Sequence, residues 1–337
     1  MLGNRLILWR GEIIRNKKIG IVIPCYNEKG NVVAIYNATK DMLDRKLSSY
    51  DYEIIFIDNF STDTTRALIR NICERDIKVK AIFNIRNFGS ATSSYYGLCQ
   101  ATGDCVVLLA ADFQEPVELI PSFVSEWEKG YKLVVGVKHK SKENPIKRLL
   151  RTLYYKLFKK ISENVEQIEH FDGFGLYDRS FVDILCSLHD PTPYIKSIVA
   201  EFGYKQKHIL YTQQKRMSGR THISWYELYN DVMLTFTTYT KIGPRIATIF
   251  GFIGSFISFI CAFYYLIIKL IFWDSFVMGQ AALIIGIFFL SALQFFFIGL
   301  LSEYVMSINS RVMNRPLVIE EERINFDQCN EYNKPKK

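Results

Sequence analysis

The chain has 337 residues, 42 Lys and Arg against 34 Asp and Glu, and a net charge of +8, room for one large domain or two ordinary ones. It is 49% hydrophobic and 15% aromatic yet 23% charged, so its apolar residues must be concentrated in particular segments. Seven cysteines, an odd number with no C-x-x-C spacing, argue against a disulfide framework or a zinc site and suit reduced cytosolic thiols.

The first 17 residues, MLGNRLILWRGEIIRNK, contain no apolar segment long enough for a signal peptide and predict a surface or membrane-skimming arm. Short apolar runs then end repeatedly in polar loops: IGIVIP (19–24), EIIFID (53–58), VKAIFN (79–84), CVVLLA (105–110) and KLVVGV (132–137). Helical stretches separate them at roughly 29–46, 63–76, 90–101 and 117–129. Alternating strands and helices predict βαβ units and a mainly parallel sheet covered on both faces. In such sheets ligands sit at the carboxyl ends of strands, where Asp58 and Asp112 stand.

NPIKRLLRTLYYKLFKKI (144–161) places Ile146, Leu149, Leu150, Leu153, Leu157 and Ile161 at helical spacing, with Lys147, Arg148, Arg151, Lys156, Lys159 and Lys160 between them. That pattern predicts a basic amphipathic helix over 145–161, suited to a membrane interface; a buried helix with a solvated basic face is the alternative. Residues 224–245 read as a juxtamembrane helix. From Ile246 to Ile268 and from Ser275 to Ser302 no residue is charged. Each run exceeds the roughly 20 residues that cross a hydrocarbon core as a helix, so spans are expected at about 246–270 and 277–301. A link this short makes a hairpin with both ends on one side. Lys241, Arg245, Arg311 and Arg315 flank it, which places that side in the cytoplasm by the positive-inside rule. The expected location is the inner membrane, with the domain at 18–223 and a tail at 303–337 in the cytoplasm. With membrane spans present, the positive charge suits an anionic membrane surface and anionic substrates better than nucleic acid.

The strand-end loops carry motifs in a fixed order: PCYNE (24–28), IDNFSTD (57–63), IRNFG (85–89) and AADFQEP (110–116). Together with the C-terminal hairpin they resemble the inverting family 2 glycosyltransferases of the GT-A fold, a Rossmann-like architecture. More narrowly, they are similar to polyprenyl-phosphate glycosyltransferases such as dolichol-phosphate mannose synthases and bactoprenol glucosyltransferases. The resemblance runs from about Ile19 to Arg315.

That resemblance implies a nucleotide-sugar donor (UDP or GDP), a polyprenyl-phosphate acceptor (undecaprenyl phosphate) and contact with membrane lipids, with a homo-oligomer left open. The product would serve cell-envelope glycan or lipid modification. Pro24, Tyr26, Asn27 and Glu28 match the loop that holds base and ribose, and Asp58 the base-contacting acid of a D-D-G-S-x-D loop. Here Asn59 and Phe60 replace that loop's second acid and its glycine, and Ser61 and Asp63 are equally explained as helix caps. AADFQEP matches a D-A-D-x-Q-D-P loop whose acids hold Mg²⁺ or Mn²⁺, which assigns Asp112 and Gln114 to the metal. Ala110 replaces the first acid of that pair. Lys138 stands for a family arginine near the diphosphate. Arg216, Arg220 and His222, within QQKRMSGRTHIS, match a loop that closes over it, and Arg216 joins Asp112 as a catalytic residue. Lys147, Arg148 and Arg151 are assigned to the acceptor phosphate. FDGFGLYDR (171–179) resembles a segment near the acceptor site, with Gly175 where the family has arginine and a turn before a helix as the alternative role. A processive polysaccharide synthase (from Gln213-x-x-Arg216) and a catalytically silent membrane scaffold (from Ala110 and Asn59) are the other readings.

Overall fold

The structure, a computed structural model, describes residues 7–9, 12–14, 16–139, 168, 170–188, 190, 193–214 and 316–326, together with separate helical positions between 253 and 312. Within the N-terminal arm, β1 (Ile7–Trp9) and β2 (Glu12–Ile14) pair as an antiparallel ribbon. The chain then alternates β3 (Lys18–Cys25), α1 (Val32–Lys46), β4 (Asp51–Asp58), α2 (Thr65–Arg75), β5 (Val79–Asn84), α3 (Ser90–Gln100) and β6 (Cys105–Leu108). A 3₁₀ turn (Val117–Leu119) leads into α4 (Ile120–Glu128), β7 (Leu133–Lys138) and β8 (Phe171–Asp178). After these come α5 (Arg179–Ser187), α6 (Ile195–Glu201), β9 (Gln206–Tyr211) and, far along the chain, β10 (Glu320–Ile324).

Strands β3 to β10 form one sheet in the order β10-β5-β4-β3-β6-β8-β7-β9. Parallel pairs join β3 to β4 and β6, β4 to β5, and β7 to β9, while β8 and β10 run against their neighbours. Six strands therefore share one direction, as the alternating sequence pattern predicts. Their side chains alternate between two cores. Ile21, Ile23, Ile54, Phe56 and Val107 face the layer of α1, α2 and α4. Val22, Ile55, Ile57 and Val106 face α3, α5 and α6. Burial on both faces explains why β3 to β7 read as unbroken apolar runs.

Three findings depart from the sequence reading. Residues 320–324, assigned to a C-terminal tail, form an edge strand on β5, and residues 315–337 group with the unit that holds the sheet rather than outside it. Residues 171–178, read as a motif and a turn, form a full central strand. Cys99 of α3 and Cys186 of α5 are disulfide-bonded, with Cα atoms 5.6 Å apart, although 87 residues separate them. That corrects the expectation of reduced thiols at this pair: both helices cover the same sheet face, which spacing alone does not reveal. Cys25, Cys73 and Cys105 are free and buried.

The chain divides into two compact units, one of residues Met1–Tyr155, Glu166–His222 and Arg315–Lys337, the other of Lys156–Val165 and Ile223–Asn314. The amphipathic helix expected at 145–161 and the juxtamembrane segment lie outside the described residues, as do most positions of the two expected spans. Among the described residues no helix is long and apolar enough to cross a membrane. The positions described between 253 and 312 are helical, and large apolar side chains there, including Phe256, Ile271, Leu283 and Leu301, are exposed.

Gly103, in the turn before β6, sits where a Cβ would lie 2.5 Å from the Gly20 nitrogen and 2.7 Å from the Cys105 oxygen. Both obstacles are backbone, so a side chain cannot rotate away to relieve them. Gly103→Ala is expected to destabilise the domain by about 1–3 kcal/mol, the usual penalty of overpacking, read as a lower midpoint in chemical denaturation.

Candidate active site

Because β3, β4, β5, β6, β7 and β9 share a direction, their carboxyl ends meet along one edge, joined there by the start of the reversed β8. The loops at this edge hold unusual backbone. Asn27, Phe60, Phe113 and His170 all have positive φ, between 56° and 69°. Bulky L residues avoid that region, so surrounding contacts must hold them there. Phe60 occupies the place of a motif glycine, and its φ of 69° keeps the left-handed turn a glycine would give without strain.

The loop after β3 is clamped to the loop after β4. The Asn27 amide donates to Ser61 Oγ (2.8 Å), and Asn27 Oδ1 accepts from the Thr62 amide (2.8 Å). Glu28 is buried and accepts from Asn31 Nδ2 at 2.5 Å. Pro24 is the penultimate residue of β3, with Tyr26 half-buried just beyond it. Asp63 accepts from the Thr65 amide (2.9 Å) just ahead of α2, whose N-cap, Thr64, makes no side-chain capping bond.

Asp58 ends β4 with no exposed surface. Its Oδ2 accepts from the Ser61 amide at 3.0 Å and lies 3.3 Å from Arg66 Nε. Among the described residues its buried Oδ1 has no hydrogen-bond partner. Burial raises the carboxyl above its ordinary range, partly offset by Ser61 and Arg66. The Cys25 thiol beside it is pushed well up by burial and by the charges of Asp58, Glu28 and Asp63, which leaves it an inert thiol.

Asn59, in place of an acid, is part of an amide network. It donates to Asn87 Oδ1 (2.7 Å) and accepts from the Phe88 amide (2.9 Å) and Asn84 Nδ2 (3.2 Å). A carboxylate here could not donate to Asn87, so the substitution fits its surroundings.

Asp112 is 7% exposed, and its Oδ1 accepts from the Gln114 amide at 3.1 Å, closing a short turn over Phe113. It does not cap the helix that follows. Glu115 turns inward and accepts from the Ala110 amide at 2.7 Å. Burial, with the Asp112 charge adding to it, pushes the Glu115 carboxyl up to about 8 against the Ala110 hydrogen bond. Glu115 is therefore neutral over most of the physiological range. The Gln114 side chain accepts from Gln213 Nε2 (2.7 Å), and its carbonyl from the Gln214 amide (3.2 Å). The segment that leads to Arg216, Arg220 and His222 thus starts against the Asp112 loop; those three residues, like Lys147, Arg148 and Arg151, lie outside the described ones.

Lys138, at the end of β7, forms an ion pair with Asp172 of β8, which Lys196 of α6 also meets at 3.0 Å. Burial works to raise Asp172, but Lys196 and Lys138 outweigh it and hold the carboxyl at about 2. Asp172, Lys196 and the buried Tyr211 hydroxyl, which lacks a hydrogen-bond partner, went unassigned in the sequence. Asp172 lay inside FDGFGLYDR but outside its matching positions. At the far end of β8, Asp178 accepts from Trp127 Nε1 (2.7 Å) and Ser180 and caps α5, away from the site.

Among the described residues no group of three or more His, Cys, Asp or Glu surrounds a metal position. Asp112, a single hard oxygen donor, fits a cation that brings its remaining ligands from water and a bound diphosphate. Gln114 would have to release Gln213 to join it.

The family model described as "Glycosyl transferase family 2" matches residues 20–184. A prophage bactoprenol glucosyl transferase homolog of Escherichia coli (strain K12) is 29% identical over 303 residues, 90% of this chain and 98% of that one. The bactoprenol glucosyl transferase of Shigella phage SfII is also 29% identical, over 90% of this chain and 97% of its own. Among solved structures, glucosyl-3-phosphoglycerate synthase from Mycobacterium tuberculosis, in complex with Mn²⁺, UDP-glucose and phosphoglyceric acid, superposes with a TM-score of 0.45 at 17% identity, covering 66% of this chain and 78% of that one.

The raised Glu115 carboxyl makes stability depend on pH. Its folded pKa, about 8, lies above the ordinary 4.5, so its contribution is full below that ordinary value and is lost as pH rises through 8. In EDTA, wild-type melting temperature should fall from pH 5 to pH 9 more steeply than that of Glu115→Gln. Parallel curves for the two proteins would contradict the assignment.

Proposed function

We propose that this chain, a glycosyltransferase with a family 2 domain over residues 20–184, moves one sugar from a nucleotide-sugar donor to a polyprenyl phosphate held in a membrane. The observation that carries the reading is the reach of the likeness. At 90% of the chain, the alignment with bactoprenol glucosyl transferases extends past the family 2 domain and through the two uncharged runs. The names of those relatives support bactoprenol as the acceptor's lipid and a glucosyl group as the cargo.

Two further observations support it. β10 is hydrogen-bonded into the same sheet as β3 to β9, so the chain before and after the uncharged runs belongs to one unit. Runs that leave and return to one unit cross a bilayer an even number of times, as a hairpin requires. Exposed apolar side chains at the helical positions between 253 and 312 suit lipid as their solvent. The corresponding location is the inner membrane, with the sheet on its cytoplasmic side.

In this reading the loop of Pro24, Tyr26, Asn27 and Glu28 receives base and ribose, and the free Oδ1 of Asp58 accepts a base N–H. Lys138, Arg216, Arg220 and His222 are assigned to the diphosphate. The acceptor's phosphate oxygen attacks the anomeric carbon from the side opposite the diphosphate. The bond from that carbon to the diphosphate oxygen breaks, with inversion. A phosphate is already anionic at neutral pH, so little general-base help is needed; positioning and charge neutralisation supply most of the acceleration. A divalent cation, Mg²⁺ or Mn²⁺, held at Asp112 with the donor would neutralise charge on the departing diphosphate.

Asp112→Asn is expected to lower turnover at least ~100-fold, about 2.7 kcal/mol of barrier, and EDTA to abolish wild-type turnover. Unchanged rates in either case would remove Asp112 from the reaction. Changing Lys147, Arg148 and Arg151 together to Gln should raise KM for a long-chain acceptor and leave donor KM unchanged, since each cation near an anionic surface is worth about 1 kcal/mol. An equal rise in donor KM would place these residues at the donor side instead.

A further inference from the structure

The sequence gives no role to the EEER segment that follows the uncharged runs, yet its side chains reach the donor edge. β10 carries a bulge on β5. Glu320 pairs with Asn84 and Glu322 with Phe83, leaving Glu321 as the extra residue. In a regular strand consecutive side chains point to opposite faces. Here the bulge re-aims one of them, so Glu321 and Glu322 both reach α2, while Glu320 accepts from Tyr96 of α3 on the other face. Glu322 takes both Nε and Nη2 of Arg70, at 3.0 and 2.6 Å. Glu321 takes Nη2 of Arg66 at 2.7 Å.

Arg66 is the guanidinium that also lies 3.3 Å from Asp58. It sits between two carboxylates, one at the donor edge and one on the returning strand, and is the closer to Glu321. That balance leaves Asp58 Oδ1 buried and without a hydrogen-bond partner among the described residues. A buried acceptor without a partner is costly, and a ligand admitted by movement of the loops over Asp58, which has no exposed surface here, would satisfy it.

We propose that Glu321 is a positioning residue for the nucleotide donor: by drawing Arg66 toward β10 it keeps one oxygen of Asp58 free to accept from the base. The strand beyond the uncharged runs thereby completes the donor site built by the first half of the chain. The inference rests on the assignment of Asp58 to the donor base. Without Glu321, Asp58 is the one carboxylate left to pair with Arg66 among the described residues, and Arg66 closes on the free oxygen.

The test is calorimetric titration of the full-length protein in detergent with UDP and with GDP. Glu321→Gln should raise Kd for the nucleotide that binds about 5-fold or more, roughly 1 kcal/mol. Glu322→Gln, an identical change on the next residue that meets Arg70 instead, should alter it less than about 2-fold, within the scatter of independent sites. In an Asp58→Asn background, Glu321→Gln should add less than about 2-fold, because its effect passes through Asp58. Equal losses in the two glutamate variants, with equal falls in melting temperature, would show a general role in holding β10 and overturn the proposal. So would a full additional loss in the Asp58→Asn background, or an unchanged Kd in Glu321→Gln. If wild type binds neither nucleotide, the donor-site reading falls first, and this inference falls with it.

Discussion

The shared direction of six strands is the constraint on which everything else here depends. Each strand of a parallel sheet must be reached by a crossover, and each crossover returns the chain to the same starting edge. The opposite edge therefore collects every loop that follows a strand. Asp58, Asn84, Asp112, Lys138 and Tyr211 come from five strand ends scattered over 150 residues of sequence, and the reversed β8 adds Asp172 from its start. Two buried cores, one on each face, make those ends rigid supports for the loops above them.

That edge then faces an electrostatic problem. Asp58, Asp112 and Glu115 are each less than 9% exposed, and buried carboxylates are costly to charge without compensation. The fold resolves it in two ways. Glu115 keeps its proton and anchors to the Ala110 amide. Asp58 is balanced by Arg66, which is shared with Glu321. Asp112 offers a hard oxygen donor in the same loop, suited to a cation that would arrive with a diphosphate. The left-handed residues Asn27, Phe60 and Phe113 lie in the same loops, so backbone strain and buried charge are concentrated where ligand contacts would offset them.

Much of this was legible in the sequence because buried parallel strands are written as apolar runs, and β3 to β7 were found within two residues of their ends. The motif loops behind them placed Asp58 and Asp112 at the right edge. What stayed hidden follows from position in the sheet. β9 (QKHILY) and β10 (EEERI) are edge strands with largely accessible side chains, so neither shows an apolar run. β8 carries Gly173 at φ 103° and a register shift against β7, which break the alternation a strand is recognised by. The partnerships of Glu321 with Arg66 and of Cys99 with Cys186 join positions 255 and 87 residues apart, separations over which no local pattern extends. Asn59 looked like a lost acid, yet it is the donor of an amide network that an acid could not complete.

The central claim is that this edge transfers a single sugar to a lipid phosphate. The most direct measurement incubates detergent-solubilised full-length protein with radiolabelled nucleotide sugars, Mg²⁺ and undecaprenyl phosphate, and identifies the product. The account expects one labelled lipid carrying one sugar, released by mild acid and absent when the acceptor is undecaprenol without phosphate. A polymer, or label transferred equally to the phosphate-free alcohol, would contradict it.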